Sequence, residues 1–169
     1  MNYYLLVLRI LHIGAGVFWV GSTLLLAFVI TPALKTTGGS GQEFIDYLIT
    51  RKRFGTESAG AGGMAGLAGL LLYWQDSQGL TSAWMGSSAG ISFAVGGVLG
   101  LIAFVFGILT DRRLKSMAGL REQLESAPSE EMTSQLQELE KQKTTYLNIC
   151  AITLTLSLWI MAVARYLVF

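Results

Sequence analysis

The sequence predicts an all-α integral membrane protein, a four-helix bundle with both termini outside, and three observations carry that expectation. Hydrophobic residues make up 52% of the 169 and charged ones only 14%, against roughly 25% charged in a typical soluble domain. Four apolar stretches, at 3–34, 57–74, 87–109 and 146–168, each reach the roughly 17–25 residues that a helix needs to cross a bilayer. The lysines and arginines then sort by loop. Of the 12 in the chain, Lys35, Arg51, Lys52 and Arg53 follow the first stretch, and Arg112, Arg113, Lys115, Arg121, Lys141 and Lys143 follow the third. The connection 75–86 holds none. Basic loops stay on the cytoplasmic side, so the termini fall outside and the chain is multi-pass in the inner (plasma) membrane.

The same numbers exclude other classes. A net charge of +1 without a basic patch leaves no nucleic-acid partner, and one composition regime over 1–169 makes a single transmembrane domain. Cys150 is the sole cysteine, so an intrachain disulfide or a cysteine-built metal site is ruled out. No run alternates with period two for long enough to build a barrel strand. The N-terminus lacks a basic region and a small-residue cleavage site, and reads as a retained first helix.

Taken in order, the first stretch closes at Thr31-Pro32, where proline ends a helix or kinks its last turn. Thr36 to Gly41 reads as a turn, and 44–54 as a short interfacial helix with Phe44, Ile45, Leu48 and Ile49 on one face, or else as a solvated basic loop. The second stretch is rich in Gly and Ala, with Gly62, Gly66 and Gly69; the third carries Gly86, Gly90, Gly96 and Gly100. Small residues four apart let helix backbones approach closely, within the bundle or in a homo-oligomer. Leu114, Met117, Leu120 and Leu124, then Met132, Leu136 and Leu139, recur at helical spacing. They predict a cytoplasmic helical hairpin over about 111–143, with a second start at Ser126 to Glu131. It either tethers two spans or docks a cytoplasmic partner.

Chemistry concentrates in the first helix. His12, the only histidine, lies roughly 13 Å from the outer end, and polar groups at that depth are functional candidates. Arg9, His12, Gly16, Trp19 and Thr23 follow helical spacings of three and four and share a face. A neutral imidazole suits haem iron, so His12 is the candidate metal ligand and Gly16 leaves room for a flat group. Arg9 and Arg165 then pair with propionates, and Met161 is the best-placed second ligand by depth. In the competing reading His12 hydrogen-bonds a neighbouring helix while the arginines snorkel to headgroups. No carboxylate pair or Ser-His-Asp set stands at membrane depth, which disfavours a proton relay or hydrolysis.

At Leu11-His12, Phe18-Trp19-Val20-Gly21 and Thr31-Pro32-Ala33-Leu34 the chain resembles a group of small bacterial membrane families. The group includes copper-resistance D-type proteins, haem-dependent protoporphyrinogen oxidases of the four-helix type, and several integral membrane families of unknown function. Arg51-Lys52-Arg53-Phe54 and Gly69 to Ser77 are most similar to one of the last kind. The resemblance implies a four-helix bundle whose first-helix histidine binds haem b. The lysine that accompanies that histidine in the oxidases has no counterpart at membrane depth in helices two to four. The expected function is therefore a b-haem-binding redox or accessory subunit, alone or in a larger membrane complex. A non-catalytic scaffold, and more remotely a small-solute or metal-ion permease, stand as alternatives.

Overall fold

The computed structural model describes residues 3–37 and 39–168, and these are almost entirely helical. The order is α1 (Tyr3–Leu25), a π-helical segment (Leu26–Ile30), α2 (Thr31–Thr37), α3 (Gly39–Thr50), α4 (Phe54–Asp76), a 3-10 turn (Ala83–Gly86), α5 (Ser88–Ser126) and α6 (Glu130–Val163). Among the described residues, three helical runs are long and apolar enough to cross a membrane: Tyr3–Leu34, Ser88–Ser126 and Glu130–Val163. The remaining expected span, 57–74, is helical within α4 but is not among them. Its glycines and Glu57 dilute the apolar character that length alone would supply.

Pro32 does not end the first helix. The chain widens into the π segment just before it, with Thr31 N–H donating to the Leu26 carbonyl, and then stays helical to Thr37. Pro32 has no N–H to give the carbonyl a turn back, and its ring crowds that carbonyl; one wide turn relieves both. Most of the expected turn at 36–41 is helical as well, and Gly38 lies outside the described residues.

Two antiparallel pairs, α1 with α4 and α5 with α6, make the extensive interfaces; α4 joins α5, and α1 touches α6 more lightly. Trp19, Ala103, Cys150 and Leu154 form the central core, with Ala27, Leu147 and Ala151 below them. The surface is apolar to a degree unusual in a soluble chain: Val17 is 68% exposed, Leu67 67%, Leu101 63% and Trp159 65%. Such a contiguous apolar exterior fits lipid. The α4–α5 connection is pinned by Trp84, whose ring lies 5.4 Å from Tyr73 and 6.3 Å from Phe93.

Beyond the apolar zone α5 and α6 continue as the expected hairpin. Its apolar stripe turns inward, with Met117 fully buried and Leu120, Leu124, Leu136 and Leu139 half-buried. Ser129 occupies the N-cap position of α6, Glu130 and Glu131 fill its first turn, and Pro128 precedes the cap. Acids there complement the positive end of the helix. α3 packs back against this extension through the buried Ile45 and Ile49, and Asp46 receives a 3.2 Å hydrogen bond from Arg121.

Candidate functional site

The site grows from the seam between α1 and α4. A stripe on α1 at helical spacing (Leu8, His12, Trp19, Ser22 and Thr23) meets the small-residue face of α4. His12 stands over Gly69, where an added Cβ would come within 2.8 Å of the imidazole Cε1. Seven residues further in, Trp19 stands over Gly62, where a Cβ would come within 2.9 Å of the indole. The two glycines are spaced as the two rings are, in the opposite chain direction. Phe104 closes the far side of Trp19 edge to face, with centroids 6.0 Å apart. One more turn inward, the Ser22 and Ser58 hydroxyls lie 3.2 Å apart.

The decisive polar contact is His12 Nδ1 at 2.7 Å from the Ala65 carbonyl oxygen. A carbonyl only accepts, so Nδ1 carries the proton. In the neutral ring Nε2 is then the bare nitrogen with its lone pair, the form in which an imidazole binds a metal. Gly69 is what makes the approach feasible, since any side chain there would hold the ring off the α4 backbone.

The other candidates divide. Trp19 and Thr23 are buried on the predicted face, and Gly16 is half-buried with nothing within 4 Å of an added Cβ, as is also true of the exposed Gly14 and Gly21. Arg9 is exposed, and the buried residue one turn above His12 is Leu8. The stripe runs through position 8, which puts position 9 at its exposed edge. Arg165, just past α6, is exposed too. Met161 lies two turns past Leu154, as His12 lies two turns before Trp19, and Leu154 and Trp19 share one core cluster. The two candidates therefore stand at matching levels. The Met161 side chain rests on Gly96 of α5, however, where a Cβ would meet its Cγ at 2.7 Å. It is engaged in the α5–α6 seam.

Among the described residues no group of three or more His, Cys, Asp or Glu side chains could cage a metal ion, which leaves His12 as a single donor. The hydrogen bond to a neighbouring helix is the one the competing reading expected; that its acceptor is the Ala65 carbonyl was not foreseen. The spacing of Gly62 and Gly69, which matches that of His12 and Trp19, was the available signal. No family model matches the chain, and no curated protein or solved structure is similar to it at a significant level.

Proposed function

We propose that the chain is a four-span protein of the inner membrane, termini outside, that binds one b-type haem through His12 Nε2 as a redox or accessory subunit. The observation that carries the reading is the 2.7 Å hydrogen bond from His12 Nδ1 to the Ala65 carbonyl. It holds the ring in the tautomer a haem ligand requires and orients it from behind, which is the usual supporting contact of a metal-binding histidine. His12 offers one axial bond, and nothing stands within 4 Å of an added Cβ at Gly16 one turn along the same helix. Arg9 and Arg165, exposed toward the outer end, suit the carboxylates of the group. Bound haem supplies one-electron chemistry; the protein's part is to bind with His12, orient it with Ala65 and admit it over Gly69.

Absorbance of the purified protein from haem-supplemented cells, oxidised and then reduced, tests this. A Soret band with sharpened α and β bands on reduction is expected, lost in His12→Ala. A flat spectrum sinks it.

A second reading, the non-catalytic scaffold, has its own support. Ser157 Oγ donates to the Gly96 carbonyl at 2.7 Å and Cys150 Sγ to the Ala103 carbonyl at 3.2 Å, both across the α5–α6 seam. A polar side chain donating to a backbone carbonyl of the facing helix is thus a recurrent fastener in this chain, and His12 would be the third. Under that reading His12→Ala lowers stability modestly and changes no spectrum.

A further inference from the structure

Two basic stretches far apart in sequence meet at one level of the molecule. Gly55, at the start of α4, abuts the Asp111 carboxylate so closely that a Cβ there would collide with it. That contact sets the corner Arg51-Lys52-Arg53 beside the stretch of α5 around Asp111. Arg51, Lys52, Arg53, Arg112 and Lys115 are exposed, while Arg113 is half-buried with its guanidinium 5.9 Å from the centre of the Tyr146 ring. Against these six cations stand two carboxylates, Glu57 and Asp111, and Asp111 Oδ2 is already bound by Lys115 Nζ at 2.6 Å. The positive end of the α4 dipole lies in the same field, offset by Glu57 in its first turn.

What lies outward of this collar names the occupant. The exposed side chains above it are apolar on both helices: Met64 (50%) and Leu67 (67%) on α4, Val105 (48%) and Leu101 (63%) on α5. Inward of it the exposed surface of the hairpin is polar and mixed in charge. A soluble anion would use the cations alone. A phospholipid with an anionic headgroup uses both features, its chains along the apolar surface and its phosphate at the collar.

The geometry points to a binding surface for anionic phospholipid of the cytoplasmic leaflet, formed where Arg51, Lys52 and Arg53 meet Arg112 and Lys115. It rests on the topology proposed above and is independent of haem. Each cation near an anionic surface contributes through charge attraction that is screened within a Debye length, so the preference weakens with salt.

Native mass spectrometry of the full-length protein, purified with mixed dioleoyl phosphatidylglycerol and dioleoyl phosphatidylcholine, tests the surface. Wild type is expected to retain phosphatidylglycerol preferentially. The combined variant Arg51→Gln, Lys52→Gln, Arg53→Gln should lower that preference roughly tenfold or more. Arg112→Gln, on the other helix, should lower it by a smaller factor. Lys141→Gln, exposed on the hairpin, should leave it unchanged. Equal retention of the two lipids by wild type, an equal loss in Lys141→Gln, or displacement by millimolar inorganic phosphate overturns the assignment. Topology is read separately, with an impermeant maleimide on intact cells carrying Thr81→Cys or Ala127→Cys. Only Thr81→Cys should react; external labelling of Ala127→Cys removes the cytoplasmic leaflet from the proposal, whatever lipid is retained.

Discussion

The two antiparallel pairs solve one problem with side chains of different size. Between α5 and α6 the flexible Met161 lies on Gly96, and at the next glycines the facing groups are small: Ser157 lies near Gly100, at 3.5 Å from an added Cβ, and Cys150 near Gly107, at 3.6 Å. Both donate to carbonyls seven residues apart on α5. Between α1 and α4 the facing groups are rings, His12 and Trp19, each pressed onto a glycine at distances no Cβ tolerates. Where the partner is a hydroxyl or thiol, glycine only brings two backbones near each other. Where the partner is a ring, glycine is a socket, and the fit is to one side chain. The difference teaches where this chain can be varied. Over Gly100 and Gly107 the α5–α6 seam is a small-residue interface of the kind that drives association in lipid, whereas the α1–α4 seam is specific to its two rings.

The strongest way to break the contrast is at the rings. Trp19→Ala should cost about 3 kcal/mol, because a buried indole leaves a void between Gly62 and Phe104 that rigid helices cannot fill. Reversible unfolding in mixed micelles measures it, and a loss below that of Ser157→Ala would refute the socket description. Gly62→Ala and Gly100→Ala compare the seams directly. The first forces a Cβ to 2.9 Å from the Trp19 ring and 3.1 Å from Phe104, for which overpacking costs about 1–3 kcal/mol. The second meets only ordinary contact and should stay within about 0.5 kcal/mol of wild type. Equal losses would show that both seams are equally tight. Ser157→Ala should cost little more than Gly100→Ala, since one hydrogen bond between membrane helices is worth about 0.6 kcal/mol. His12→Ala removes a bond of the same kind together with a ring, so its loss should lie above that of Ser157→Ala and below that of Trp19→Ala.

Much of the fold was legible because hydropathy and helical period are local signals. The first, third and fourth apolar stretches, the long α5–α6 hairpin, the acidic start of α6 and the role of the glycines as packing residues could all be read directly from the residues. The continuation past Pro32 could not, since a proline reads as a stop unless the turn before it widens. Nor could the packing of α3 through Ile45 and Ile49, whose apolar face suits a bilayer surface as well as a protein one. The face of α1 was read one residue off at its N-terminal end: Arg9 shares helical spacing with His12, but Leu8 is the residue that turns inward. Helical spacing alone allows both, and only the position of α4 chooses.

The sequence by itself determined an all-helical chain with an apolar exterior, because composition and a 3.6-residue period do not depend on what packs where. It also determined that the one imidazole lies on an inward face of the first helix. The tertiary structure alone decided which atom holds that imidazole, because the Ala65 carbonyl and the Gly69 socket come 53 and 57 positions later in the chain. Pairing between helices is a matter of shape at contact distance, and no local pattern carries that information.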